Sequence, residues 1–390
     1  MKRFLAVAVA GSFLVSGCSA LSVLSTVSST VMRCGRPRGV VLIVGAHRNA
    51  PVPALDNRLA CQVATAIRAG KPVSIVVADS RPLVITPKLM SVTGGTLAQQ
   101  ESPRVREDVQ RVRAALAAAR PDSAGVDDLA ALAVAADDAH SSGMADPEFV
   151  LLDSGLDDRG ALNFTVPGVV AADPAEVARQ LRSSGDLPDL RGSTVVLVGI
   201  GYTAAPQQPL SAKWRGNVAQ IWTAVARSAG ARVQVIPQPG QGPSVQTSEP
   251  VRSVPVPVTP QFAPRRHTTI KFTGESAVRF LPNSQVFADP AAAIRALIPI
   301  ARWLAASSSR RAHLEGTTAD VGTLAAQIQL SRLRAGRVRD ELIQLGAART
   351  QLTTTGVGSR FPQFIRDRNA AGTLLAGPAT LNRSVRISLR

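Results

Sequence analysis

The chain has little of several things that would name a chemistry. Its four His are scattered, with no pair at ligand spacing, so a zinc site is not expected. No Gly-x-Ser-x-Gly elbow surrounds Ser154-Gly155, which removes the usual serine hydrolase arrangement with His47 or His140. The Gly199-Ile200-Gly201-Tyr202 strand end lacks both the third Gly of a dinucleotide loop and the Lys of a phosphate loop. Aromatic residues make up 4% of the chain, and no apolar run is long enough to span a bilayer as a mature helix. What is present is length and apolar content. With 390 residues, 45% of them hydrophobic, the chain can bury two cores, and whole-chain disorder is excluded.

Charge is abundant and uneven. The net charge is +17, but residues 1–264 carry 25 cations against 20 anions, and residues 265–390 carry 19 against 7. A basic balance of this size fits nucleic acid, anionic lipid or another polyanion, and it belongs mainly to the last third.

The N-terminus sets the compartment. Lys2-Arg3, the apolar run Phe4 to Val15 and Ser16-Gly17-Cys18 form a basic region, a short hydrophobic region and small residues before a cleavage point. Val15-Ser16-Gly17-Cys18 resembles the lipobox of bacterial lipoproteins, which implies a signal peptide over residues 1–18 and acyl chains on Cys18. The resemblance places the protein outside the inner membrane, lipid-anchored in the cell membrane or outer membrane and facing the wall. That argues against a nucleic-acid partner. Export also makes a disulfide between Cys34, ahead of the first strand, and Cys61, on the following helix, the expected state. A nucleophilic Cys61 with His47 as base is the alternative, and it lacks a visible third partner.

Along the chain, residues 19–38 read as a Ser/Thr-rich tether. Over residues 39–236, short β-branched runs (Val40–Val44, Val73–Val77, Phe149–Leu152, Val195–Ile200, Val233–Ile236) alternate with helical patterns (Ala54–Ala69, Arg104–Ala119, Val126–His140, Pro174–Ser183, Leu210–Ala229). The alternation predicts an α/β domain, a doubly wound and mostly parallel sheet. Trp214 and Trp222, eight apart on one helix face, are expected in its core. Residues 237–268 follow as a linker, with eight Pro between 237 and 264, expected not to pack and to reach on the order of 80 Å when extended as polyproline II. Residues 269–390 read as a β-α-β-α-β unit of α+β class, its last strand burying Val385, Ile387 and Leu389 by alternation.

That last unit carries Phe280-Leu281-Pro282-Asn283-Ser284, a Gly316-Thr317-Thr318 turn, Leu330-Ser331-Arg332-Leu333-Arg334-Ala335 on a helix, and Asn382-Arg383-Ser384-Val385-Arg386-Ile387 at the end. Together these resemble the OmpA-like peptidoglycan-binding domain. In that family an Asp after the Gly-x-Thr turn and the Arg of Leu-Ser-x-x-Arg-Ala hold a diaminopimelate residue of the peptide stem. The resemblance implies that Arg334 grips the ligand carboxylate, a task suited to its planar fork. The family Asp falls on Ala319, with Asp320 one place later, and Asp320 is taken as the assisting carboxylate.

The first domain is read more loosely. Phe149–Asp158 late in the sheet, and Val195–Gly201 after it, resemble a von Willebrand factor A-type domain. Where that family begins its Mg²⁺ site with Asp-x-Ser-x-Ser, this chain has Gly45-Ala46-His47-Arg48-Asn49. Asp153, Asp157 and Asp158 form an acidic turn at a strand's carboxyl end, suited to a hard cation or to a turn and helix cap. No metal, cofactor or catalytic residue is expected. The sequence thus predicts a non-enzymatic lipoprotein linking membrane to peptidoglycan. The alternative is an envelope enzyme, or a platform for other envelope proteins, whose first domain carries the activity and whose second domain targets it to the wall.

Overall fold

The structure is a computed structural model describing residues 34–90, 98–238, 243–258 and 262–390. The signal peptide, Cys18 and most of the 19–38 tether lie outside the described residues. Among those described, no helix is long and apolar enough to cross a membrane.

The first lobe contains β1 (Val40–Val44), α1 (Asn57–Arg68), β2 (Val73–Val77), β3 (Leu83–Ile85), α2 (Ala98–Ala118), α3 (Asp128–Ser141), β4 (Glu148–Leu152), α4 (Pro174–Ser184), β5 (Thr194–Val198), α5 (Ala212–Ser228) and β6 (Arg232–Ile236). The strand order is β3-β2-β1-β4-β5-β6, parallel throughout except for β3, which runs antiparallel to β2. All five residues of β1, β2 and β4 are buried, which is what β-branched runs covered on both faces require. Helices α1 and α2 cover one face and α3, α4 and α5 the other, with Trp214 and Trp222 in the second core. The sheet is doubly wound.

Local chemistry sets the boundaries. Helix α1 starts at Asn57, three residues later than the periodicity suggests, because the Asp56 carboxylate caps it by accepting from the Leu59 N–H. Asp127 caps α3 through Ala130, and Asp173 followed by Pro174 opens α4. Strand β3, three residues long, is too short to show a period. The Cys34–Cys61 disulfide, Cα to Cα 5.6 Å over a separation of 27 residues, ties the entry to β1 onto α1. For a loop of that length, such a link stabilises by about 3–4 kcal/mol.

The second lobe contains β7 (Thr269–Phe272), α6 (Pro290–Ala305), β8 (Ala312–Gly316), α7 (Leu324–Gln344), β9 (Leu352–Gly356), α8 (Ala376–Asn382) and β10 (Val385–Leu389). Its mixed sheet runs β7-β10-β8-β9, with β10 antiparallel to β7 and β8, and β8 parallel to β9. Val385, Ile387 and Leu389 are buried against α6 and α7. The segment Ser276–Phe287 is a series of turns closed by a Phe280–Phe287 bridge.

The Pro-rich segment corrects one expectation. Residues 243–258 do not reach outward; they lie along the first lobe. Polyproline backbone has no internal hydrogen bonds, so its carbonyls are open to outside donors. Here Val52 N–H donates to the Pro243 carbonyl at 3.0 Å, Gly125 N–H to Pro250 at 2.9 Å and Trp214 Nε1 to Pro257 at 3.1 Å. The Gln207 amide brackets Val254, accepting from its N–H and donating to its carbonyl at 3.0 Å. Val residues between the prolines supply the apolar contact, with Val245 and Val254 buried.

The lobes touch where Gly168 meets Gly377. A Cβ on Gly168 would lie 2.2 Å from the Gly377 carbonyl oxygen, so side chains are barred there. Beside this contact, Gly168 N–H donates to Glu275 at 3.0 Å and Ala376 N–H to Gln180 at 2.8 Å. Arg383 grips Glu176 with two bonds of 2.7 Å.

Candidate functional site

The site in the second lobe is built where α7 crosses the ends of β8 and β9. Those strands end in Gly316 and Gly356 because a Cβ would stand 1.9 Å from the Ser331 carbonyl oxygen and 2.3 Å from the Arg332 nitrogen, respectively. The close approach lets the Ser331 hydroxyl accept from Gly358 N–H at 3.1 Å, which fixes the rotation of α7. One turn on, Arg334 is directed inward and is 2% exposed. Its Nε donates to the Ser284 carbonyl at 2.9 Å, and its guanidinium lies over the Phe280 ring at 5.2 Å. Among the described residues no carboxylate lies within ion-pair distance of Arg334. Burial, reinforced by the nearby Arg383 charge, lowers its pKa to about 10, so it stays cationic at neutral pH.

Arg334 faces a groove of about 380 Å³ whose wall includes Asn283, Thr318, Ala319, Gln327, Leu330 and Arg383. The structure separates Asp320 from this groove. Its Oδ1 accepts from Gln327 Nε2 at 3.0 Å, its Oδ2 lies 3.5 Å from Arg368 Nε, and its N–H donates to Asp367 at 3.0 Å. Ala319, in the family Asp position, is 2% exposed and lines the groove, and no bulge exchanges the two. The expectation that Asp320 assists Arg334 from within the ligand site does not match this placement: Asp320 holds the turn beside the groove. Two residues beyond sequence reasoning also shape the site. Arg383 contributes a second guanidinium to the wall, and buried Asp367 accepts from Asn382 Nδ2 at 2.9 Å, anchoring the loop that presents Arg368. The Asn382-Arg383 pair of the closing motif was the available signal.

The first lobe gathers its own charges at the carboxyl end of the sheet. Asp153 follows β4 and accepts from His47 Nε2 at 2.9 and 3.0 Å, both side chains buried. His47 Nδ1 accepts from Asn49 N–H at 3.2 Å, which assigns the ring proton to Nε2. Burial pushes the Asp153 carboxyl up, but its contacts with His47, followed by those with Asp128 and the Ser154 N–H, more than offset this and leave it lowered. Asp128, wholly buried, has no N–H on either oxygen. Burial, then the charges of Asp153 and Asp157, raise it well above the carboxylate range. Asp157 is likewise raised, by burial first and then by Asp127.

The acidic turn is a set of caps. Asp157 accepts from Leu129 N–H at 3.3 Å, and Asp158 from Val126 N–H and Arg252 N–H at 2.8 Å. Among the described residues no group of three His, Cys, Asp or Glu is placed to hold a metal ion. Cys61 is bonded to Cys34 and does not serve His47 as a nucleophile. A crevice of about 220 Å³ opens outside β4 and β5, bounded by Leu152, Asp153, Gly199, Tyr202 and Pro51–Asp56. Open α/β sheets bind ligands in such a place.

Comparison with known proteins picks out the second lobe. The peptidoglycan-associated lipoprotein from Burkholderia pseudomallei is similar at 23% identity and a TM-score of 0.25, over 29% of this chain and 88% of that one. A periplasmic domain of Helicobacter pylori MotB is similar at 20% identity and a TM-score of 0.26, over 31% and 74%. A MotB-like protein from Desulfovibrio vulgaris is similar at 24% and 0.25, over 31% and 72%. No curated protein matches the chain. Residues 279–372, which carry Arg334 and its groove wall except Arg383, match the model of the OmpA family and form an OmpA family domain.

Proposed function

We propose that the protein is a cell-envelope lipoprotein that attaches to peptidoglycan without covalent chemistry, its OmpA family domain docking on the wall and Cys18 carrying the membrane anchor. One observation carries this reading: inside the family domain, a buried guanidinium with no carboxylate partner among the described residues faces an open groove. An Arg held by a carbonyl and an aromatic face is pre-organised, and its free N–H groups suit a ligand carboxylate through charge-assisted hydrogen bonds. With Ala319 in the groove, this chain grips the carboxylate end of a stem peptide and offers no acid there for the ammonium end. The first lobe is read as a non-catalytic binding module for other envelope components. The crevice beside Asp153 supports this second role.

The test is co-sedimentation of the full chain, in detergent, with purified peptidoglycan. Arg334→Ala is expected to weaken binding at least about tenfold, the size of one lost charge-assisted pair. Arg334→Lys, which keeps the charge without the fork, should fall between. Binding by the parent should survive added salt, since a desolvated Arg is poorly screened. Equal sedimentation of Arg334→Ala and parent overturns the assignment. For the anchor, Cys18→Ser is expected to shift the protein from the membrane fraction to the soluble one.

A further inference from the structure

A second cavity, of about 220 Å³, lies between the lobes. One wall is the start of α4 and the flank of α5, with Asp173 and Asn217. The other is second-lobe chain carrying Arg279, Arg334 and Arg383. Arg334 and Arg383 line both this cleft and the groove, so the cleft lies on the other side of the same guanidinium pair. Its charge is unbalanced. Asp173, the carboxylate in its wall, accepts from Glu176 N–H at 3.0 Å as the cap of α4. Arg383 is held by Glu176, Arg334 has only carbonyl partners, and Arg279 keeps a buried Nε with none among the described residues. Asp289, whose charge acts on Arg279, is engaged in capping α6 through Ala292 N–H at 3.0 Å. Burial lowers Arg279, and it lowers Lys213 to about 8 with help from Arg279, so the region holds more positive charge than its own anions balance.

We propose that this inter-lobe cleft binds an oxyanion, the carboxylate or phosphate group of a ligand, through Arg279, Arg334 and Arg383. Planar forks converging from separate segments suit either group, and the partly dry wall strengthens each contact. The volume is below the roughly 300–1,000 Å³ of whole-ligand pockets, so the cleft takes one charged group and leaves the rest of a larger ligand outside. Because six of the fifteen residues of its wall are first-lobe chain, the second lobe alone does not form it. Glu176 is the internal competitor. Its carboxylate occupies the outer fork of Arg383, which an arriving oxyanion would share.

The test is calorimetric titration of the full chain with inorganic phosphate and, separately, acetate, at ionic strength held constant with sodium chloride. Saturable binding of at least one is expected, and the arm that saturates identifies the oxyanion. Arg279→Gln should weaken it about tenfold, and Glu176→Gln, which frees Arg383, should tighten it several-fold. Circular dichroism checks the fold of each variant. If Arg279→Gln does not fold, the Glu176→Gln measurement decides. No saturation with either anion, parental affinity in a folded Arg279→Gln, or unchanged affinity in Glu176→Gln overturns the proposal.

Discussion

Both lobes bury charged side chains, and they treat them in opposite ways. In the first lobe, Asp153 accepts from His47 Nε2 at 2.9 Å, and Asp157 and Asp158 are spent on backbone N–H groups of α3 and the Pro-rich segment. In the second lobe, Arg334 is just as buried but among the described residues meets only the Ser284 and Leu281 carbonyls and a phenyl face. A charge satisfied inside the fold stabilises it. A charge left without a counter-ion beside an open groove costs stability, which is the pattern the proposed partner binding would explain. By that criterion Arg334 is the charge the proposed recognition would use, whereas the denser acidic turn, the more conspicuous feature in sequence, is architecture.

The largest test of this contrast is His47→Ala. It strands the Asp153 carboxylate in the core, and loss of one member of a buried pair costs about 3–5 kcal/mol, read as a fall in the unfolding midpoint in urea. Arg334→Gln should leave that midpoint near the parent's while abolishing wall binding. If the two variants destabilise alike, the division between structural and recognition charge fails.

The second test has the opposite sign. Asp128 prefers its proton in the folded state, where burial and the neighbouring Asp153 and Asp157 raise it. In the unfolded chain it ionises near 3.9. Its contribution is therefore fully favourable below that pH and is lost as the pH rises toward the raised folded value. Asp128→Asn removes this penalty and keeps a donor for Asp153 or Asp157. It should unfold at a temperature a few degrees above the parent at pH 7 and at the parent's temperature near pH 3. A midpoint lowered at pH 7 would mean that Asp128 is ionised and counter-balanced in the fold.

How much was legible in sequence follows from the range of each interaction. Val40–Val44 and Phe149–Leu152 declare themselves because a strand core covered on both faces runs apolar, whereas Glu148, which opens the second strand, falls outside that run. Arg334 declares itself through a local motif. The packing of residues 243–258 does not, since its partners Asn49, Gln207 and Trp214 are distant along the chain and an open carbonyl carries no signature of its donor. Arg383 is visible in the closing motif, but its pairing with Glu176 spans 207 residues.

Asp320 is the finest case, and it gives the smallest expected effect. By counting, it stands one place from the family carboxylate; by geometry it belongs to Arg368 and Gln327, with its side chain 48% exposed. An exposed pair of this kind contributes about 0–1 kcal/mol. Asp320→Asn keeps an oxygen for the Gln327 amide and is expected to change stability by less than about 1 kcal/mol and peptidoglycan sedimentation by less than about twofold. A loss approaching that of Arg334→Ala would put Asp320 in the groove after all. It would also mean that the turn rearranges when ligand binds, because the carboxylate must leave Arg368 before it can face the ammonium of a stem peptide.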